Sequence, residues 1–337
     1  MSTVVITGGR GYIGRALTQS FAQDGHTLRV VSRAAIGPFH GRGDATIEHV
    51  RADLCDEENW CTVLRGADAV VHLSSRTDLR AAEANPTDDR TINVAPVRAL
   101  IRASEHCRTP LPVIFASSTS IAGDAHENPV NERTPDRPSS VYDKHKLECE
   151  IILQEATQRG ILRACSLRLP TVYGYGDGLG SINPNRGVLN AMILRAMNGQ
   201  PLTLYGDGSP VRDFTHLNDV CHAFRLAVTE RHTCDGGHYI IATGRGYRLG
   251  EAFACVAQEA YRATGRKVEI RHVAEPPDLH PIERSNFVGD ASAFRRLTGW
   301  HAQVDLQSGI RDYFERLIPR AKLGMGSSAQ RHYSGMP

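Results

Sequence analysis

The stretch that decides the fold is Thr7-Gly8-Gly9-Arg10-Gly11-Tyr12-Ile13-Gly14. It follows the apolar run Val4-Val5-Ile6-Thr7 and opens a segment whose apolar residues recur at helical spacing. Between a buried strand and a helix, Gly8 permits the tight turn, Gly11 lets backbone approach a pyrophosphate, and Gly14 lets helix and strand pack closely. The helix N-terminus adds free N–H groups and a positive dipole end. A Gly-rich turn without a ligand is the alternative, but this context favours a dinucleotide site.

The rest of the first half repeats the pattern of a short apolar strand followed by a helix. Strands are predicted at 28–32, 69–73, 113–116 and 164–169, and helices at 94–104 and 140–157. Strands that alternate with helices pair in parallel through right-handed crossovers, and continuous apolar runs indicate a sheet covered on both faces. The predicted fold is therefore α/β, with a Rossmann-like, doubly wound parallel sheet.

The composition changes after residue 172. Gly, Asn, Pro and Asp dominate from Tyr173 to Gly187, which is typical of a loop over a site. We expect residues 1–172 to form an NAD(P)-binding Rossmann domain. Residues 173–320 are expected to form a smaller C-terminal α/β substrate lobe, interleaved with the end of the sheet. Residues 321–337 are small and polar, and a disordered tail is predicted there.

The overall composition limits the classes of function. The formal net charge of the 337 residues is only +2, so nothing predicts a nucleic-acid partner. No run approaches the roughly 20 apolar residues of a membrane helix, and no basic segment precedes the first strand as in a secretory signal. The eight cysteines include no CxxC pair, so no metal site is predicted and reduced thiols in the cytoplasm are expected.

The end of the second strand bears on the choice of cofactor. A site for NAD places Asp or Glu there, on the ribose hydroxyls, but this chain has Ser32-Arg33. No carboxylate repels a 2′-phosphate, and both Arg33 and Arg10 can pair with one. The pattern favours NADP(H), and NAD(H) remains open because both arginines could be solvated surface residues.

A candidate proton-transfer group lies in Tyr142-Asp143-Lys144-His145-Lys146. Tyr142 and Lys146 are four residues apart and share one helical face. An ammonium beside a phenol lowers the phenol pKa, which suits the phenol for general acid–base catalysis. Ser118 follows a predicted strand, at the carboxyl edge where open α/β sheets bind ligands. The alternative for Ser118 is a cap or turn serine.

With these residues the chain resembles the extended short-chain dehydrogenase/reductase family, in the NAD-dependent epimerase/dehydratase branch that acts on nucleotide sugars. The resemblance extends from Val4 to about Trp300. It rests on ordered motifs: the glycine turn, Asp53-Leu54, Val71-His72-Leu73-Ser74-Ser75, Asn93-Val94, Ser117-Ser118 through Gly123, Tyr142 with Lys146, Arg168 through Val172-Tyr173-Gly174, and Arg212-Asp213-Phe214.

The resemblance implies a role for each matching residue. Catalysis is expected from Ser118, Tyr142 and Lys146. Cofactor contacts are expected from Gly8, Arg10, Gly11, Tyr12, Ile13, Gly14, Ser32, Arg33, Asp53, Leu54, Leu73, Ser74, Ser75, Asn93, Tyr142, Lys146, Pro170 and Val172. Substrate contacts are expected from Ser118, Thr119, Asn185, Val188, Tyr205, Arg212, His280 and Arg284. Arg212 is the best candidate to clamp the diphosphate, because a guanidinium matches two phosphate oxygens. A structural pair with Asp213 or Asp219 is its alternative.

Three departures from the family pattern shape the predicted function. The acidic residue after the second strand is missing, and Thr171 stands where many members have Asn. Thr119-Ser120 stands where the 4,6-dehydratases carry Asp-Glu, so 4,6-dehydration is not expected. Because a net reductase draws on NADPH, we predict a reductase of a nucleotide-linked 4-keto sugar in deoxysugar biosynthesis.

Two alternatives to this reductase remain open. One is a nucleotide-sugar 4-epimerase with tightly bound NAD. The other is a protein that senses NADP(H) without turnover, although such proteins usually lack the Tyr/Lys pair. The family also implies a homodimer.

Overall fold

A computed structural model describes residues 2–33, 46–123, 129–176, 187–277 and 279–322. Its strands are, in chain order, β1 (Thr3–Thr7), β2 (Thr27–Ser32), β3 (Ile47–Arg51), β4 (Ala69–His72), β5 (Leu111–Ser118), β6 (Leu162–Leu169), β7 (Thr171–Tyr173), β8 (Leu202–Tyr205), β9 (Val211–His216), β10 (His238–Ile240), β11 (Gly246–Arg248) and β12 (Ile270–Val273).

The helices alternate with the strands in the first half of the chain, and α7 to α11 lie in the second half. The α-helices are α1 (Tyr12–Ala22), α2 (Glu57–Leu64), α3 (Leu79–Ala84), α4 (Pro86–Asn93), α5 (Ala95–Ser104), α6 (Val141–Gln158), α7 (Val188–Met197), α8 (Leu217–Thr229), α9 (Leu249–Thr264), α10 (Ser292–Thr298) and α11 (Leu306–Lys322). Short 3-10 helices lie at Thr119–Ala122, Arg231–Thr233 and Pro281–Glu283.

A seven-stranded sheet with the order β10-β6-β5-β4-β1-β2-β3 forms the centre of the fold. Every pairing within it is parallel. The strand order reverses at β1, which has β2 on one side and β4 on the other. In sheets of this kind ligands bind at that reversal, beyond the carboxyl ends of the strands. The prediction of a Rossmann-like doubly wound sheet is confirmed.

The sheet is apolar on both faces because helices cover both. One buried cluster joins β1 residues to Leu17 and Phe21 of α1 and to Phe224 of α8. The other joins the opposite face to Trp60 of α2, Leu100 of α5 and helix α6. Burial on both faces accounts for strands that read as continuous apolar runs rather than as alternating ones.

A buried ion pair ties strand β6 to helix α6. The guanidinium of Arg168, which is 1% exposed, donates to Glu150 at 2.6 Å and to Asp136 at 2.6 Å. These carboxylates raise the pKa of Arg168 above its ordinary value, against the opposing effect of burial. The contact fixes α6, the helix that carries Tyr142, against the sheet.

The second half of the chain contributes both to its own core and to the central sheet. Residues of α7, α9 and α11 pack around Tyr173 and Phe214 in a separate buried cluster. Strand β10, however, pairs with β6 in the central sheet, and α8 packs against α1. The domain boundary after residue 172 stays a prediction. Apart from the end of α11, the predicted tail lies outside the described residues.

Among the described helices, none combines the length and the apolar character that crossing a membrane requires.

Candidate active site

The glycine turn is packed so closely that Gly8 and Gly14 have no room for a side chain. Gly8 has a φ of +64°, in the left-handed region that favours glycine, and its carbonyl accepts the N–H of Gly11 at 2.8 Å. A Cβ on Gly14 would lie 2.3 Å from that same carbonyl oxygen. The hydroxyl of Thr7 accepts the backbone N–H groups of Leu73 and Ser74, each at 3.2 Å, and so ties the turn to the loop after β4.

A cavity of about 410 Å³ opens over this turn. It is lined by Gly8, Gly11, Tyr12, Ile13, Gly14, Leu73, Ser74, Ser75, Thr77, Ala116, Ser117, Ser118, Tyr142, Lys146, Leu169, Pro170, Thr171, Val172 and Gly187. The cavity therefore joins most predicted cofactor residues to all three predicted catalytic residues. The glycine turn lies at a helix N-terminus and at the reversal of the strand order, and its glycines let a ligand approach the backbone. These features fit a dinucleotide.

Six predicted cofactor residues do not line the cavity: Arg10, Ser32, Arg33, Asp53, Leu54 and Asn93. Arg33 is exposed at the end of β2, where its carbonyl accepts the side chain of Arg51 at 3.1 Å. Asn93 is 3% exposed and contacts the cavity only indirectly, through the loop that carries Ser75. Its amide oxygen accepts from Ser75 Oγ at 2.9 Å and from the N–H of Arg76 at 2.8 Å.

Lys146 is held in the cavity wall beside Tyr142. Its Nζ donates to the carbonyl oxygen of Ala116 at 2.8 Å and lies 5.7 Å from the centre of the Tyr142 ring. Burial lowers the pKa of Lys146 to about 8. His72 lies buried nearby, and burial, with a smaller contribution from the Lys146 charge, lowers its pKa to about 3. The imidazole is therefore neutral near pH 7, and Lys146 supplies the positive charge beside Tyr142.

Ser118 is the first member of a chain of hydroxyl groups that ends on a buried carboxylate. Its Oγ lies 2.6 Å from Ser120 Oγ, and the Ser120 hydroxyl also contacts Asp143. Ser140 Oγ donates to the other oxygen of Asp143 at 2.6 Å, and the Asp143 N–H donates back to Ser140 at 3.0 Å. Neither Ser120 nor Asp143 was predicted to belong to the site. The Ser-x-x-Asp spacing at 140–143, a variant of the helix capping box, was the available signal for Asp143.

A second, smaller cavity of about 150 Å³ shares a wall with the first. Ser118, Leu169, Pro170 and Thr171 line both cavities. The second one is completed by Thr119, Ser120, Gly123, Arg212, Ile282, Ser285 and Phe287. Three of the predicted substrate residues, Ser118, Thr119 and Arg212, therefore line a cavity that adjoins the cofactor cavity.

Arg212 closes the far side of this second cavity. Its guanidinium donates to the carbonyl oxygens of Glu283 at 2.7 Å, of Ile282 at 3.2 Å, and of Ser285. Burial lowers the pKa of Arg212. Neither predicted carboxylate partner takes part in these contacts, because Asp213 accepts from backbone at 243–244 and Asp219 from backbone at 303–304.

The other predicted substrate residues are dispersed. The hydroxyl of Thr119 donates to the Leu169 carbonyl at 3.2 Å. Arg284 pairs with Glu275 at 2.8 Å, and His280 Nε2 lies 3.8 Å from a Glu83 carboxylate oxygen. Val188 and Tyr205 are exposed and line neither cavity. Asn185 lies outside the described residues.

The chain is similar to known proteins over most of its length. The model of the NAD dependent epimerase/dehydratase family matches residues 4–242. The UDP-glucose 4-epimerase of Streptomyces lividans is 26% identical over 321 residues, which cover 90% of this chain and 92% of that protein.

Two solved structures resemble the fold over nearly the whole chain. The UDP-glucose 4-epimerase of Thermus thermophilus, in complex with NAD, has a TM-score of 0.76 and 26% identity, and the match covers 94% of this chain and 99% of that one. MoeE5, in complex with UDP-glucose and NAD, has a TM-score of 0.80 and 25% identity, with 95% and 99% covered.

Proposed function

The chain belongs to the NAD-dependent epimerase/dehydratase family of nucleotide-sugar enzymes, and from that premise we propose that it is a nucleotide-sugar 4-epimerase. The observation that carries the proposal is the position of Ser118, Tyr142 and Lys146. They line the cofactor cavity, and Ser118 also lines the second cavity. A sugar bound in the second cavity therefore lies next to both the proton-transfer group and the cofactor.

Residues of the chain itself accept and return the proton of the sugar 4-hydroxyl. Tyr142 accepts the hydroxyl proton as the alcohol becomes a ketone and returns it when the ketone is reduced. Lys146 favours the ionised phenol electrostatically, because its ammonium lies beside the ring. Ser118 hydrogen-bonds the same sugar oxygen. When bound on the glycine turn, the nicotinamide dinucleotide supplies the acceptor and donor of hydride.

Epimerisation rather than net reduction is supported by the relatives. The similar proteins named above include UDP-glucose 4-epimerases, and two of the structures hold NAD. These matches favour the epimerase alternative over the predicted 4-ketoreductase. Because an epimerase returns the hydride to the substrate it came from, one retained NAD serves every turnover. We propose a uridine nucleotide sugar as the first substrate to test.

A second candidate, the NADPH-dependent 4-ketoreductase of deoxysugar biosynthesis, is favoured by one observation. The end of β2 carries Ser32 and the exposed Arg33, with no carboxylate to repel a 2′-phosphate. A basic side chain at that position suits a cofactor that is exchanged with the NADPH pool.

One experiment separates the two candidates. The purified protein is denatured, the released nucleotides are identified, and the intact protein is assayed with UDP-glucose and with nucleotide 4-keto-6-deoxysugars plus NADPH or NADH. The epimerase proposal expects released NAD and conversion of UDP-glucose to its C4 epimer without added cofactor. Protein that is free of nucleotide and that oxidises NADPH only when a keto sugar is present would make it a reductase.

A further inference from the structure

The hydroxyl of Thr7 makes three hydrogen bonds at the start of the glycine turn, and its partners set the direction of each. It accepts the backbone N–H groups of Leu73 and Ser74, each at 3.2 Å, and its oxygen lies 2.9 Å from Nδ1 of His72. A backbone N–H can only donate, so these two bonds occupy both lone pairs of the Thr7 oxygen. The hydroxyl proton of Thr7 is therefore donated to His72 Nδ1.

These directions fix the protonation state of the His72 imidazole. Because Nδ1 accepts the Thr7 proton it carries none of its own, so the ring is neutral with its proton on Nε2. The pKa of about 3 that burial gives His72 agrees with a neutral ring. Nε2 is buried beside the rings of Trp60 and Phe115 and has no hydrogen-bond partner in the part of the chain that the structure describes. A buried donor without an acceptor is costly, so an offsetting role is expected on the Nδ1 side of the ring.

The loop that Thr7 holds forms one wall of the cofactor cavity. Leu73 and Ser74 line that cavity. Thr7 and His72 are buried behind this wall and do not line the cavity. Ser74 packs so closely on the glycine turn that a Cβ on Gly8 would lie 2.9 Å from its backbone nitrogen. A shift of this loop therefore changes the space over the glycines where a dinucleotide fits.

We propose that His72 is a positioning residue for the dinucleotide site and acts through Thr7. Its unprotonated Nδ1 keeps the Thr7 hydroxyl turned so that both lone pairs accept the loop after β4. Without that acceptor the hydroxyl rotates, and a contact to the loop is lost whenever its proton points there. This assignment rests on the proposed binding of a nicotinamide dinucleotide at the glycine turn, and it holds for an epimerase and for a reductase alike.

The first test reads the protonation state of His72 directly and needs no ligand. In protein labelled with ¹⁵N in its histidines, two-bond ¹H–¹⁵N correlation spectra separate the Nε2–H form from the Nδ1–H form and from imidazolium. The signals of His72 are those that disappear in His72→Phe. We expect the Nε2–H form at pH 7, and in Thr7→Val the Nδ1 signal should shift because it loses its donor. An Nδ1–H form or an imidazolium at pH 7 would overturn the proposal.

The second test measures the dissociation constant of NAD(H) and of NADP(H) by titration calorimetry. His72→Phe keeps a buried ring and removes the acceptor, and we expect it to weaken binding about fivefold, the effect of one neutral hydrogen bond. Thr7→Val removes the hydroxyl itself and should weaken binding at least as much. Because His72 acts only through that hydroxyl, adding His72→Phe to Thr7→Val should cause no further loss. Thr7→Ser keeps the hydroxyl and should restore the affinity of the wild type.

The matched control is His238→Phe, which makes the same exchange at a half-buried histidine on β10 whose Nε2 also lacks a partner among the described residues. Its affinity should stay within about twofold of wild type, even where its melting temperature falls. Wild-type affinity in His72→Phe, or a further loss when it is added to Thr7→Val, would overturn the proposal.

The Thr7 variants and the spectra carry the test if His72→Phe does not fold, with the His72 signals then assigned from His72→Asn. A Thr7→Ser protein that binds as weakly as Thr7→Val would overturn the proposal. A wild type that binds neither dinucleotide would instead refute the proposed function, while the spectra would still report the state of His72.

Discussion

At the scale of single residues, the site depends on Tyr142 and on how closely Lys146 is held beside it. The two lie on one face of α6, and Lys146 is fixed by its bond to the Ala116 carbonyl. A lysine that was free to swing away would give the phenol no steady electrostatic support. In the proposed mechanism the carbonyl bond therefore matters as much as the charge, because it keeps the ammonium beside the phenol.

We expect Tyr142→Phe to lower kcat by about a hundredfold to ten-thousandfold, the usual contribution of a positioned general acid–base group. The ring remains, so melting temperature and bound cofactor should match those of the wild type. The measurement is the rate of C4 epimer formation, with Tyr261→Phe, an exposed tyrosine outside both cavities, as the matched control. Full activity in Tyr142→Phe would contradict the role proposed for Tyr142, whereas a wild type without turnover on any nucleotide sugar would leave the NADP(H)-sensing alternative.

At the scale of secondary-structure elements, the Arg168 ion pair joins β6 to α6, the helix that carries Tyr142. We expect Arg168→Met to destabilise the fold by about 3–5 kcal/mol, because it leaves the buried Glu150 carboxylate without its partner. Urea unfolding measures this cost. The double variant Arg168→Met with Glu150→Leu removes both charges and should recover part of the loss. If the single variant were as stable as wild type, the pair would have no structural role.

The elements that the sequence predicted are those whose pattern is local. Strand β1, helix α1 and the middle of strand β5, predicted at 113–116, all follow from short apolar runs and glycine spacing. Helix α2 was not predicted, although Asp56 caps it and Glu57 and Glu58 occupy its first turn. Its apolar face becomes recognisable only in the structure, where Trp60 and Val63 pack against the sheet.

The residues of the candidate site also fall into two groups, those with a local sequence pattern and those placed by tertiary packing. The residues of the glycine turn and the Tyr142–Lys146 pair act through neighbours in the chain, so their spacing revealed them. Asn93 and Arg212 were singled out through the family resemblance, because the contacts of Asn93 lie 17 or 18 residues away in the chain and the carbonyls that Arg212 binds at 282–285 lie 70 or more residues away. Such contacts are set by tertiary packing, which single-sequence patterns do not carry.

At the scale of the whole molecule, buried histidines make the fold sensitive to acid. Burial lowers the pKa of His72 to about 3 and that of His216 to about 4. The unfolded chain takes up these protons near pH 6.5 and the folded protein does not, so stability is complete above that pH and is lost as the pH falls.

Between pH 6 and pH 5 the two histidines should together reduce the unfolding free energy by about 2–3 kcal/mol. Urea titrations at pH 7, 6 and 5 measure the slope. His72→Asn should lessen it by about half, and the exposed His106→Gln should leave it unchanged. A wild-type slope near zero over this range would contradict the burial of neutral imidazoles.

We also expect the chain to form a homodimer through α6, where the large apolar side chain of Ile151 is 45% exposed. Ile151→Glu places a charge on that face and should convert the dimer to a monomer in sedimentation analysis. Tyr261→Glu is the control, since it changes an exposed apolar residue on α9 instead. A wild type that sediments as a monomer at every concentration would end the dimer proposal.

The wall shared by the two cavities has a consequence for inhibitor design. Ser118, Leu169, Pro170 and Thr171 border both spaces, so a short linker is enough to join a ligand in one to a ligand in the other. A nicotinamide mimic joined by a short linker to a sugar mimic makes its second binding event intramolecular. At an effective concentration in the millimolar range, two weak fragments would gain about a hundredfold or more in affinity from the linkage alone.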